Sequence, residues 1–378
     1  MTDKLVVYTY NVLFGDAVLV EVPDGSSKRF ILIDVGNVLS GEGGEDQPLL
    51  DAARDIKDRT GGKIDLYVMT HEHMDHVQGL LYAHKKGCEF QIKTVWMTVS
   101  SDPHYYDNNK HEDARRKRLE LQRSVAAFRG IVGAADMPAG LAALLEINSR
   151  NTNDCVDFIR QVVDKPYYVY RGFDTSGKHP FTDAAIRILA PEENSAVYYG
   201  PVPPRFDFGS EGQERAASAG RPLPLPGIDG GAFYGLIDSM NGACAEGVYA
   251  IDQAANNTSV VFELTWRGNR LLFTGDAELK SWQMMDNNTT LQPVDFIKIG
   301  HHGSRNAAPP LKIMEKILPK QRRDKAVAVV STFPGTYNDV PNREALALIN
   351  ERTRKIYRTD DDDIKTGKPV IIDLEERS

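Results

Sequence analysis

The chain is poor in cysteine, has no long apolar run and carries no excess of positive charge. Its three cysteines, Cys88, Cys155 and Cys244, lie far apart and form no Cys-x-x-Cys pair. Thiols this few and this scattered exclude a disulfide framework and a thiolate metal site, so reduced thiols in a cytoplasmic protein are expected. There is no run of 18 or more apolar residues and no basic-then-apolar leader, so neither a membrane span nor a signal peptide is expected. A formal net charge of −8 argues against broad non-specific binding to duplex nucleic acid, while leaving room for a local basic groove. The basic clusters at 115–118 (RRKR) and 320–323 (KQRR) read as solvated faces, and the acidic run at 359–363 (TDDDD) as an exposed turn.

What is present suits one large α/β domain spanning 1–378. Strand-like segments at 4–12, 17–22 and 29–36 precede a helical pattern at 48–61, a buried strand at 63–70 and a helix at 76–87. Residues 101–183 carry helical patterns at 139–149 and 153–163 and read as a helical insertion. The stretch 198–231 is dense in proline, glycine and serine and reads as a long loop, because such composition buries little apolar surface. Strands return at 184–193, as a hairpin over 258–278 around Arg267-Gly268-Asn269, and at 294–300, 326–332 and near the C-terminus. Lys298, in the strand-like FIKI, reads as a surface residue.

The chemistry is concentrated at strand ends. THEHMDH places His71, His73, Asp75 and His76 where an apolar strand turns into a helix. Imidazole and carboxylate are the usual ligands of first-row divalent ions, and a mixed cluster suits catalysis better than a closed structural site. His71 and His73 are two apart and share a face of extended chain, while Asp75 and His76 follow the turn and can address a second ion about 3.5–4 Å away. Two later strands repeat the design: NRLLFTGDAE ends in Gly275-Asp276, and VDFIKIGHHGS ends in His301, His302 and Ser304. The doublet alone leaves either histidine as a ligand. His84, His104, His111 and His179 read as solvated or core-edge residues.

These residues resemble the metallo-β-lactamase fold: His71-Glu72-His73-Met74-Asp75-His76, then Thr274-Gly275-Asp276, then a histidine after the next strand, with Asp34 of ILIDVG as the early supporting aspartate. More narrowly, NNTSVVFEL, LLFTGDAE, IKIGHHGS and IYRTD resemble the nuclease-like domain of ComEC-type DNA-uptake proteins and related phosphodiester-cleaving enzymes. The likeness covers 4–100 and 184–378 and leaves out 101–183, the loop at 198–231 and the membrane segments of ComEC proteins. It implies an αββα sandwich with two divalent ions, Zn²⁺ or Mn²⁺. His71 and His73 would hold one ion; Asp75, His76 and His302 the other; and Asp276 would bridge. It also implies that Asp75 orients the nucleophile, that His301 contacts phosphate or donates a proton, and that Ser304 and Asn257 meet the substrate. Many relatives place a further histidine one hairpin before the Gly-Asp, where this chain has Asn256-Asn257. The implied activity is hydrolysis of a phosphodiester, with nucleic acid as one such substrate. The alternatives are a carbonyl hydrolase (lactonase or thioesterase) and a metal-binding regulatory or assembly protein docking a partner through 101–183.

Overall fold

Strand alternation builds the molecule. In β1 (Lys4–Tyr10), β2 (Ala17–Asp24) and β3 (Ser27–Val35) successive side chains point to opposite faces, and both faces are buried. Leu5, Val7, Val18, Val20, Ile31 and Ile33 lie on one side; Tyr8, Tyr10, Leu19, Leu32 and Val35 lie on the other. The computed structural model describes residues 4–37, 46–119, 150–199, 252–333 and 339–377. The chain continues through α1 (Gln47–Thr60), β4 (Lys63–Ile64), β5 (Leu66–Met69), α2 (Met74–Lys85), β6 (Gln91–Ile92), β7 (Val95–Thr98), α3 (Arg150–Gln161), β8 (Tyr167–Val169) and β9 (Ala184–Ala190). It then runs through β10 (Val261–Trp266), β11 (Asn269–Phe273), α4 (Leu279–Asn288), β12 (Phe296–Ile299), α5 (Leu311–Ile317), β13 (Val327–Val330), α6 (Arg343–Asn350), β14 (Lys355–Arg358) and β15 (Pro369–Glu375).

Seven strands form one sheet in the order β15-β1-β2-β3-β5-β7-β8, and six form a second in the order β14-β13-β12-β11-β10-β9. Their facing sides share one core, in which Val7, Val20, Ile31 and Trp96 of the first sheet lie with Phe262, Phe273 and Phe296 of the second. Phe262 and Phe273 stack with ring centroids 5.0 Å apart, and Phe296 follows at 5.5 Å. Full burial of each such ring is worth roughly 1.5–3 kcal/mol. The outer face of the first sheet is covered by α1, α2 and α3 through Leu49, Ile56, Val77, Leu80, Val156 and Ile159. The outer face of the second is covered by α4, α5 and α6 through Trp282, Met285, Ile313, Met314 and Ile349. The result is a mixed α/β architecture of four layers, helix, sheet, sheet and helix.

The helices begin and end where local chemistry dictates. In α1, Pro48 lies in the first turn and Gly61, at φ +62°, closes the helix in the left-handed region that glycine tolerates best. One side of each sheet runs parallel: β3, β5, β7 and β8 in one, β11, β12, β13 and β14 in the other. Parallel neighbours bring their carboxyl ends to the same edge, the usual place for ligands in α/β proteins.

The chain divides into two compact units. The first comprises Met1–Pro103, Ser149–Glu193 and Ala255–Ser378 and holds both sheets. The second comprises His104–Asn148 and Asn194–Ala254; in it Tyr105 stacks on His111 at 4.0 Å and its hydroxyl accepts the Ser195 N–H. The described residues of 101–183 are divided between the two units. Helix α3 packs on α2, and β8 extends the first sheet. The helical pattern at 139–149 and all but the first two residues of the loop at 198–231 lie outside the described residues.

Candidate metal centre

Strand β5 ends at Met69, and the next seven residues carry the first cluster. His73 is extended (φ −84°, ψ 149°) and caps α2, so Asp75 and His76 occupy its first turn. A carboxylate there faces the positive end of the helix dipole. Asp34, at the end of β3, organises the turn. Its Oδ1 accepts the Thr70 N–H at 2.8 Å, and its Oδ2 accepts the Thr70 hydroxyl at 2.6 Å and lies 2.8 Å from His76 Nδ1. Gly36 permits the approach: a Cβ there would come within 2.4 Å of the backbone of Asp75 and His76.

The second sheet supplies the rest. After β11, Gly275 at φ +50° turns the chain so that Asp276 is buried, with its N–H on Ser259 Oγ (3.0 Å) and its Oδ1 accepting the His301 N–H (2.9 Å). A Cβ on Gly275 would meet Ser259 and Thr70 at 2.9 Å, so both conformation and space require glycine. After β12, His301 and His302 both take positive φ, 45° and 53°. Such a conformation is uncommon for non-glycine residues, and it turns consecutive side chains apart. His302 is fully buried, with Nε2 at 2.9 Å from Asp75 Oδ2. His301 is partly exposed, with Nδ1 at 3.2 Å from Glu278 Oε1 and 3.1 Å from Ser304 Oγ.

Asp75, His76, Asp276 and His302 thus each offer one ligand atom, and these atoms all lie within 4.8 Å of one another. His76 Nε2 is 3.2 Å from Asp276 Oδ2 and 3.7 Å from Asp75 Oδ2, and His302 Nε2 is 4.0 Å from Asp276 Oδ2. His71 and His73 stand beside this group: their ring centroids are 4.6 Å apart, and that of His71 is 4.2 Å from His76.

The donor set fits a cation. His76 Nδ1 is held by Asp34 and His302 Nδ1 by the Ser331 carbonyl at 3.1 Å. A proton on each Nδ1 leaves the Nε2 lone pairs directed at carboxylate oxygens, which is repulsive unless positive charge lies between them. Asp75 Oδ1 and His71 Nε2 are buried without a hydrogen-bond partner, and each such atom costs about 1–3 kcal/mol if left unsatisfied. Burial pushes the His71 pKa well below the usual imidazole value, and the neighbouring charges of His76 and His73 push it the same way; its neutral form is the one that binds metals. Burial alone would raise the Asp75 and Asp276 carboxyls, but a protonated His76 supplies positive charge in place of a cation and, together with the neighbouring His302, outweighs burial and holds both below the usual carboxylate range.

One sequence expectation changes here. Lys298 is not at the surface: it is 2% exposed, with Nζ at 2.7 Å from Asp16 Oδ2. Strand alternation explains the reversal. Ile297 and Ile299 face the outer helices, so Lys298 points between the sheets with Phe296. Asn257, expected at the substrate, has its Oδ1 on the Ser281 N–H (2.8 Å) and its carbonyl on the Ser281 hydroxyl (2.7 Å), anchoring the start of α4. Asn256 donates to Glu278 Oε1 at 3.1 Å. Sequence reasoning passed over Glu278, although it belongs to the same GDAE motif, and over Asp16, which carries no motif signal at all. Of the remaining histidines, His84 and His104 are exposed, His179 packs against Trp96 and Phe181, and His111 lies in the second unit. None of the four joins the group.

No family model matches the chain. A local similarity of 27% identity over 105 residues links it to ComE operon protein 3 of Bacillus subtilis (strain 168); the aligned segment is 28% of this chain and spans 13% of that protein. Among solved structures, the metallo-beta-lactamase fold protein YhfI from Bacillus subtilis superposes with a TM-score of 0.36 at 7% identity, covering 98% of this chain and 100% of that one. A superposition that loose adds no weight. The four layers seen in this chain itself are what the motif resemblance implies. Among the described residues, no helix is long and apolar enough to cross a membrane.

Proposed function

We propose that the chain is a metal-dependent hydrolase of phosphodiester bonds. The observation that carries the metal-dependent part is the buried group of Asp75, His76, Asp276 and His302, whose ligand atoms all lie within 4.8 Å of one another. These four would hold one divalent ion. His71 and His73 would hold a second, with Asp276 shared between them. Zn²⁺ and Mn²⁺ both suit oxygen and nitrogen donors. When bound, such ions would acidify a water and neutralise charge on phosphate oxygens.

The chain's own groups divide the remaining work. Asp75, with Oδ2 on His302 and Oδ1 free of hydrogen bonds, orients the attacking water. His301, at the partly exposed rim with Nδ1 turned to Glu278 and Ser304, donates a proton to the leaving-group oxygen. Ser304 reaches substrate through the same rim. The phosphodiester class rests on the likeness of the LLFTGDAE and IKIGHHGS motifs to ComEC-type nuclease domains, and the local similarity to ComE operon protein 3 points to the same branch.

The test is a metal count on purified protein, followed by assays on a chromogenic phosphodiester, single-stranded DNA and a thioester with Zn²⁺ or Mn²⁺. Phosphodiester turnover that disappears in Asp75→Ala and Asp276→Ala supports the reading. Turnover of the thioester alone moves the substrate class to carbonyl compounds. Bound metal with no turnover of any substrate favours a regulatory or assembly role, and absence of stoichiometric metal removes the centre altogether.

A further inference from the structure

The ligands of the metal group come from opposite sheets, Asp75 and His76 after β5 and Asp276 and His302 after β11 and β12. Something must hold those two edges in register. The buried pair of Lys298 and Asp16 spans them. Lys298 lies in β12, four residues before His302, and its Nζ reaches 2.7 Å to Asp16 Oδ2 and 3.1 Å to the Ile299 carbonyl. Asp16, just before β2, is tied by its backbone to the other ligand turn: its N–H donates to the Asp75 carbonyl and its carbonyl accepts the Gly36 N–H, both at 2.9 Å. A carboxylate oxygen of Asp16 also lies within 4.8 Å of ligand atoms of Asp34 and His76. The lysine and the aspartate are 2% and 3% exposed.

We infer that the Lys298–Asp16 ion pair is a crosslink between the sheets that sets the separation of Asp75 and His302, and so the metal affinity of the group. The pair is a positioning device and makes no contact with the ion or the substrate. Buried pairs of this kind seldom add net stability over an apolar replacement, but they select one geometry, and a metal site needs its ligands held within about 0.5 Å. The inference rests on the metal-centre reading above.

Electrostatics and positioning predict opposite signs, which makes the test sharp. Removing the lysine charge takes a cation away from the ion and by charge alone tightens binding; loss of the crosslink loosens it. Metal-stripped full-length chain is titrated calorimetrically with Mn²⁺ as wild type, Lys298→Met, Asp16→Asn and the double variant, with thermal melts recorded alongside. At least tenfold weaker binding is expected in all three variants. The double variant leaves no charge unpaired and retains most of its melting temperature, so it carries the test if either single variant fails to fold. Binding by Lys298→Met as tight as or tighter than wild type, or wild-type affinity in the double variant, overturns the crosslink. Wild-type chain that binds neither Mn²⁺ nor, in a parallel titration, Zn²⁺ overturns the hydrolase reading and the crosslink together, whereas metal-loaded wild type with unaffected variants overturns the crosslink alone.

Discussion

The two halves of the metal centre are built differently, although the six residues from His71 to His76 contribute to both. One half, Asp75 and His76 with Asp276 and His302, mixes carboxylate with imidazole, and Asp34 and Ser331 fix both ring orientations. The other half, His71 and His73, is imidazole alone, and Asn256, which stands where the resemblance puts a further histidine, is turned onto Glu278. A seat with two carboxylates gains most from a cation; a seat of imidazoles alone has no carboxylate charge to neutralise. On the proposed two-ion reading, the mixed half is expected to be the tight seat and the imidazole half the weak one.

Asp276→Ala should break this comparison most severely. It removes the carboxylate that meets both His76 and His302 and that the weak seat shares, so metal content falls in both halves and phosphodiester turnover drops by about 10³-fold or more. Elemental analysis and steady-state kinetics read the two effects. Next is the histidine doublet. His302→Ala should lose the tightly bound ion. His301→Ala should keep its metal and lose about 10²–10³-fold in turnover, as expected for a missing proton donor. Metal lost from His301→Ala instead would reverse their roles.

His71→Ala sharpens the contrast at lower amplitude. A calorimetric titration should keep its tight first step and lose the weaker second one; loss of the tight step would show that the halves are a single unit. The smallest effect belongs to Asp34→Asn, which touches the ion only through His76. Its tight-seat affinity should fall about 10–100-fold, the usual range for a partner behind a ligating histidine. An unchanged affinity would mean that α2 alone orients the ring.

Much of this was legible because it depends on local spacing. Two histidines separated by one residue at a strand end share a face in any sheet, and an aspartate and histidine after them fall in the first helical turn wherever the helix begins at Met74. The Gly275-Asp276 turn could be read for the same reason, since an apolar strand that stops at glycine must turn there. The doublet could not be resolved, because two consecutive histidines look alike in sequence and only the folded turn buries His302 while leaving His301 partly exposed. Lys298 was misread because a lone charge in an apolar strand reads as a solvent face until a second sheet covers it. Asp16, 282 residues distant from its lysine, could not have been paired with it from sequence.

The amino-acid sequence by itself determined the ligand types, their order along the chain and the strand ends that carry them, since each depends on interactions within a few residues. The tertiary structure alone decided which histidine of the pair joins the group, that both asparagines are turned to structural partners, and that a buried lysine joins the two sheets. Those outcomes depend on which surfaces face one another across the core. That choice is made by packing between segments hundreds of residues apart, and local propensity does not encode it.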